Sequence, residues 1–366
     1  MDEAYNNLKL DENLKLDNNL ELDGNLKLDE KPCYILAIET SCDETSVAIV
    51  KNGREVVANP ISSQVEIHRR FGGVVPEVAS RKHVETITLM LEEAMNDSGL
   101  KLADLSAIAV TQGPGLVGSL LVGLVSAKAL AFSLGLPLIG VHHIAGHIYA
   151  NRLVSELHYP FVALVVSGGH TELVYCETEG HFRIIGQTRD DAAGEAYDKV
   201  ARALGLPYPG GPHIDKLAHE ASDAVELPRA WLEPGSYDFS FSGLKSAVLA
   251  TLNQARMRGE ELPASYVARG FQESVIDVLA EKSLRAAQEY GAKQLLLAGG
   301  VAANRGLRHY LANRCAKLGI PLLVPPLSLC TDNAAMIGAA AYLKWKRGQF
   351  SELDIKAEPL MKLETW

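Results

Sequence analysis

The chain has 366 residues, 47% of them hydrophobic, which allows a sizeable buried core and suggests two domains. A formal net charge of −10 argues against strong autonomous nucleic-acid binding, where a basic face is expected, but leaves room for a local basic groove or a basic partner. Five scattered cysteines without a CxxC pair read as reduced thiols; with no secretory signal and no apolar run that looks long enough to span a bilayer, a cytoplasmic location away from membranes is expected.

Residues 1–31 stand apart. Four hexapeptide copies, Asn7–Glu12, Asn13–Asn18, Asn19–Gly24 and Asn25–Glu30, alternate leucine with polar residues. Asp2 to Lys31 holds nine acids against four lysines, a net −5 and half of the total. Four copies are too few to bury the surface a β-helix needs, so the segment is expected to be a disordered appendage.

The body opens at Pro32. Cys33–Glu39 and Thr45–Val50 read as buried strands, Asn52-Gly53 as a tight hairpin turn, and Glu55–Ala58 as a third strand. Apolar spacing predicts a helix over Glu77–Met95. Ala107–Thr111 is a strand, Gly118–Leu134 a helix rich in small residues, and Leu138–Val141 a strand leading into a histidine-bearing helix. The order then repeats. Strands are predicted at Phe161–Val166, Thr171–Cys176 and Phe182–Gly186. Helices follow at Gly194–Leu204, Ile214–Ser222, Leu244–Met257 and Ser265–Glu289. Gln294–Ala298 is a strand, Asn304–Leu318 a helix, Pro321–Val324 a strand and Asp332–Trp345 a helix. Two similar halves imply an α/β, actin-like duplicated fold, with two lobes and a central cleft. The expected lobes are 32–157, rejoined by a helix over 332–347, and 158–331, with 348–366 as a C-terminal tail.

His143 and His147 are one helical turn apart on one face, so both imidazoles can reach one ion. The alternative is that one or both cap or pack the helix. A zinc-protease reading needs Glu after the first histidine, and Ile144 stands there. Asp332, in Ser328-Leu-Cys-Thr-Asp332, is the candidate third ligand; it equally fits a helix cap. Two histidines and a carboxylate leave open positions on a metal. Ser167-Gly-Gly-His170 and Gly299-Gly300 are turns whose amides can approach an anion, or ordinary turns. Asp43, in Ile38-Glu-Thr-Ser-Cys-Asp43, could orient water, metal or nucleophile, and equally fits a turn residue. His68-Arg69-Arg70 and Arg81-Lys82-His83 are basic clusters, either solvated helix faces or contacts to RNA or a partner.

Several motifs occur together: Val166-Ser-Gly-Gly-His-Thr171, His143-x3-His147, Ile38-Glu-Thr-Ser-Cys-Asp-Glu-Thr45, Gly72-Gly-Val-Val-Pro-Glu77 through His83, and Gly113-Pro-Gly-Leu-Val-Gly-Ser119. Asp190–Lys199, Tyr208-Pro-Gly-Gly-Pro212, Phe239–Lys245 and Gly299–Asn304 complete the set. With them the chain resembles the TsaD family of bacterial tRNA N6-adenosine threonylcarbamoyltransferases, over Pro32 to about Arg347. The resemblance implies an acyltransferase that moves threonylcarbamoyl from threonylcarbamoyl-AMP to N6 of the adenine next to the anticodon, in tRNAs reading codons that begin with A. AMP leaves. It implies one divalent metal, usually iron with zinc as the alternative, on His143, His147 and Asp332. Val166, Ser167, Gly168, Gly169 and His170 match the family's substrate loop, and Asp198, Gly211, Asp215 and Asn304 its other nucleotide contacts. A TsaB-like paralogue and a TsaE-like ATPase are the implied partners. The competing readings are a sugar or acyl kinase of the same fold, with Mg²⁺ on carboxylates, and a non-catalytic scaffold paralogue.

Overall fold

The computed structural model describes residues 31–366. The hexapeptide segment, with the expectation that it is disordered, lies outside them. β1 (Tyr34–Glu39), β2 (Glu44–Lys51) and β3 (Glu55–Ala58) form an antiparallel meander, turned between β2 and β3 at Asn52 and Gly53, both with positive φ. β4 (Ile61–Ser63), the short α1 (Val65–Arg69) and α2 (Pro76–Ser98) follow. β5 (Ala107–Gly113), α3 (Val117–Leu134), β6 (Leu138–His142) and α4 (His143–Tyr149) complete the first half.

The second half opens with another meander, β7 (Phe161–Val166), β8 (Thr171–Thr178) and β9 (His181–Gln187). Four helices follow: α5 (Ala193–Ala203), α6 (Gly210–Glu220), α7 (Ser242–Arg258) and α8 (Ala264–Glu289). Then come β10 (Gln294–Ala298), α9 (Arg305–Leu318), β11 (Leu322–Leu323) and α10 (Ala334–Lys346). The main path of the first sheet runs β3-β2-β1-β5-β6 and the second sheet runs β11-β10-β7-β8-β9. Read from opposite ends these are one order: third, second and first strand of a meander, then two strands added in parallel. The expected duplication is therefore present in the hydrogen-bonded topology. The central strands β1 and β7 are almost wholly buried, as continuous apolar runs covered on both faces should be.

Three apolar cores separate the layers. One lies between the first sheet and α2 and α3, and another between the second sheet and its helices α5 to α9. The middle core joins residues of both sheets, such as Ile35, Ala37, Phe161 and Val165, to α4 and α10. α4 can lie close to α10 because Gly146 has no side chain: a methyl built there would sit 2.8 Å from Ile337 Cδ1.

Three features differ from the sequence reading. β4 and α1 were unforeseen, since each is too short to show a hydrophobic period. α3 does have the length and apolarity to cross a bilayer, 18 residues at a mean hydropathy of 1.8, so the expectation that no run is long enough fails. It packs on α2 and β5 by one side, and Val117, Leu121, Val125 and Phe132 face outward. Residues 348–366, set apart as a tail, are built into the body. The Ser351 amide donates to Leu138 O (2.8 Å), Glu358 holds Gln112, and Trp366 packs on Tyr149 and Phe182.

Candidate metal centre and cleft

α4 follows β6 without a loop. His142 ends the strand and caps the helix: its Nδ1 accepts from the Ile144 amide (3.1 Å) and its Nε2 donates to Met361 O (3.1 Å). Burial pushes its pKa down to about 3, consistent with a neutral ring that can accept at Nδ1. Every residue of α4 is buried. The i, i+4 spacing sets the rings of His143 and His147 edge to face, with centroids 4.7 Å apart.

Asp332 reaches both rings from the turn before α10. Its Oδ1 lies 3.1 Å from His147 Nε2 and 3.5 Å from His143 Nε2. The possible ligand atoms of these three residues all lie within 4.8 Å of one another. The sequence placed Asp332 inside the helix as a possible cap. In the fold Asn333 is the cap, its side chain accepting from Met336 N (3.1 Å), and Asp332 is left facing the histidines. Two imidazoles and one carboxylate with free faces suit a single transition-metal ion.

Burial would raise the Asp332 pKa, but the His143 and His147 charges outweigh it and hold the carboxyl below its usual range. Burial would lower His143, but Asp332 and Glu39 overcome it and raise the ring to about 9. His170 comes close from the second half, and burial together with His143 and His147 pushes it down to about 4.

Glu39, at the end of β1, is fully buried. Its Oε2 lies 3.0 Å from His143 Nδ1 and accepts from Thr111 Oγ1 (2.7 Å), while Oε1 accepts from the Ser41 amide. Sequence reasoning alone gives Glu39 no role. Its signal was an acid closing an otherwise apolar buried strand. Glu44 was likewise passed over: burial and then Asp43 and Asp332 raise its pKa well above normal.

The Ser167–His170 turn closes on itself, with Ser167 N donating to His170 O (2.8 Å) and His170 N to Ser167 Oγ (3.1 Å). Val166 is buried, Gly168 and Gly169 are exposed, and no atom lies within 4 Å of where their side chains would begin. Gly299 (φ 89°) backs this turn, and a methyl there would sit 2.4 Å from Val166 O.

Asp43 is buried, and its charge reaches Glu44, Asp198 and Tyr208. Asp198 Oδ1 accepts from Gly210 N (2.7 Å) at the start of α6; burial raises its pKa, with Asp43 adding to the effect. Gly211 has open space around it. Asp215 and Asn304 belong to a different network. Asp215 pairs with Arg305 (2.7 Å) and accepts from Gln272 Nε2 (3.2 Å). Asn304 caps α9 through Leu307 N (2.8 Å) and donates to Gln272 Oε1 (2.7 Å). So the three metal-site residues converge, Asp43 and Asp198 share one electrostatic neighbourhood, and Asp215 and Asn304 are joined through Gln272, which the sequence reading missed.

The basic clusters are less free than their composition suggested. His68 and His83 are interior, bonded to Gln64 and Thr45. Arg69, Arg81 and Lys82 pair with Glu66, Glu77 and Glu85 on their own helices or flanks. Arg69 also donates to Tyr208 O (3.0 Å), tying the first half to the second, and Arg70 is exposed.

The sequence model of one family, described as tRNA N6-adenosine threonylcarbamoyltransferase, matches residues 55–339. A relative of that name from Geobacillus thermodenitrificans is 65% identical over 331 residues, covering 90% of this chain and 97% of the relative. One from Bacillus cereus is 62% identical over 336 residues, covering 92% and 98%. Among solved structures, full-length HypF aligns at a TM-score of 0.58 with 16% identity, over 87% of this chain and 47% of HypF. Component A of the (R)-2-hydroxyglutaryl-CoA dehydratase of Acidaminococcus fermentans aligns at 0.52 with 16% identity, over 86% and 98%. At such identity these two speak for the shared actin-like fold alone. The relatives speak for more: the chain belongs to the TsaD family of tRNA N6-adenosine threonylcarbamoyltransferases.

Proposed function

We propose that this chain transfers threonylcarbamoyl from threonylcarbamoyl-AMP to N6 of the adenine beside the anticodon, in tRNAs reading codons that begin with A. The convergence of His143, His147 and Asp332 carries the proposal, in a chain whose relatives are named for that transfer. Those three residues would hold one divalent ion, Fe²⁺ in the first instance and zinc as the alternative. When bound, the ion supplies Lewis acidity toward a carbonyl or phosphate oxygen.

The protein's own part is positioning. The new bond joins N6 to the carbamoyl carbon, the bond from that carbon to the phosphate oxygen breaks, and N6 loses a proton. The amides of the exposed Gly168 and Gly169, with the Gly299-Gly300 turn behind them, would hold the acyl-adenylate. Asp198, Gly211, Asp215 and Asn304 would line its nucleotide side. Asp43 is the acceptor we assign to the N6 proton. Adenine N6 is a weak nucleophile, so holding it in line contributes much of the rate.

A TsaB-like paralogue is proposed to cover the outward stripe of α3, where Val125 and Phe132 are 63% and 77% exposed. A TsaE-like ATPase would act with it. The cytoplasm is the proposed location, because tRNA is the acceptor. An imidazole-rich ligand set does not favour a Mg²⁺-dependent kinase, and an intact one does not favour a scaffold.

The test is nucleoside analysis of tRNA from cells depleted of this protein. Threonylcarbamoyladenosine should fall, and wild type but not His147→Ala should restore it. An unchanged level on depletion would overturn the reading.

A further inference from the structure

Glu39 makes contacts that no ligand role accounts for. Its carboxylate is fully buried and both oxygens are engaged. Oε1 takes the amide of Ser41, the first turn of the cleft. Oε2 takes the hydroxyl of Thr111, on β5, and faces Nδ1 of His143 at 3.0 Å. A carboxylate has no proton to give, so the contact requires Nδ1 of His143 to carry one. With Nδ1 keeping that proton, Nε2 is the nitrogen that would give up its own proton and offer its lone pair to an ion, and it is the nitrogen facing Asp332. Ser41 Oγ also lies 3.1 Å from Nδ1, but a hydroxyl can donate or accept and selects neither tautomer. His147 has no such partner among the described residues: its Nδ1 is buried without a hydrogen bond there. The two histidines are therefore held differently: both face Asp332 through Nε2, but only His143 has a carboxylate behind it at Nδ1.

We propose that Glu39 is a positioning residue for the metal centre, fixing the tautomer and ring orientation of His143 and coupling that ring to the Ser41–Asp43 turn. The inference rests on the metal reading of His143, His147 and Asp332. Carboxylate-to-histidine contacts behind a ligand raise its basicity, and removing them weakens metal affinity by about 10–100-fold. Glu39 should act in this way without touching the ion or the substrate.

The experiment titrates Co²⁺ into apo full-length wild type, Glu39→Ala, Glu39→Gln and Ser41→Ala, reading the d–d absorption band and the dissociation constant. Glu39→Ala should bind about 10–100-fold more weakly with an altered band. Glu39→Gln, whose amide oxygen can still accept the ring proton, should lose less. Ser41→Ala should stay within about threefold of wild type, since its hydroxyl selects no tautomer. If Glu39→Ala does not fold by circular dichroism, Glu39→Gln decides: affinity and band equal to wild type would overturn the proposal. A loss in Ser41→Ala matching that in Glu39→Ala would also overturn it. Wild type that binds no Co²⁺, Zn²⁺ or Fe²⁺ would defeat the metal reading itself, which separates the two failures.

Discussion

The helix bearing His143 and His147 and the turn Ser167–Gly169 face the same cleft and are built in opposite ways. The helix is buried along its whole length, capped by His142 and pressed against α10 through Gly146. The turn keeps two glycines in open space and is closed by its own two hydrogen bonds. A group that must hold an ion within a few tenths of an ångström needs side chains locked by packing. A loop that admits a nucleotide and releases AMP needs free backbone amides and room. On the proposed assignment, rigidity sits on the metal side and access on the substrate side.

The contrast is broken most severely at the ligands. His147→Ala should empty the metal site and abolish transfer while circular dichroism stays unchanged. Metal analysis of the purified variant tests this, and full occupancy would remove the assignment.

Packing comes next. Gly146→Val should wedge α4 away from Ile337, costing about 1–3 kcal/mol of stability with a parallel loss of metal. On the other side the same kind of change should divide in two. Gly299→Ala forces a side chain against Val166 O at positive φ and should cost about 1–3 kcal/mol. Gly168→Ala meets nothing and should leave the melting temperature near wild type while raising KM for the acyl-adenylate. Equal destabilisation by Gly168→Ala and Gly299→Ala would show that the turn is packed after all.

A smaller, pH-dependent effect sits on β8. Glu172 lies under the C-terminal segment, and burial, then the Glu364 charge, raises its pKa to about 7 from an ordinary value of 4.5. An acid raised on folding binds more protons when folded, so its contribution is full below pH 4.5 and is lost as pH climbs through 7. Wild type should therefore lose stability relative to Glu172→Gln across that window. Parallel denaturation midpoints for the two proteins from pH 4.5 to 8 would refute it.

The smallest effect is expected outside both regions. Deleting Met1–Glu30 should change transfer by less than about tenfold, or roughly 1.4 kcal/mol of barrier. A greater loss in a steady-state assay would tie the repeats to the cleft.

Much of this molecule was legible in one dimension. Apart from β4, the strands from Tyr34 to Gln187 announced themselves as apolar runs, and the repeated order of elements disclosed the duplication, because burial on both faces leaves a mark in every residue of a central strand. His143 and His147 were legible because helical spacing alone puts them on one face. Asp332 was less so. Its place beside them depends on α10 returning across the first sheet, 185 residues after His147, and no local pattern encodes that return. Glu39 carried only the faint mark of an acid ending a buried strand, and Gln272 carried none, since a buried polar side chain takes its meaning from partners distant in sequence. The sequence by itself thus determined the elements, their duplicated order and the residue types able to bind a metal. Tertiary structure decided which carboxylate stands beside both rings, which one meets His143 Nδ1, and that residues 348–366 belong to the body, because each depends on long-range contacts that local periodicity does not record.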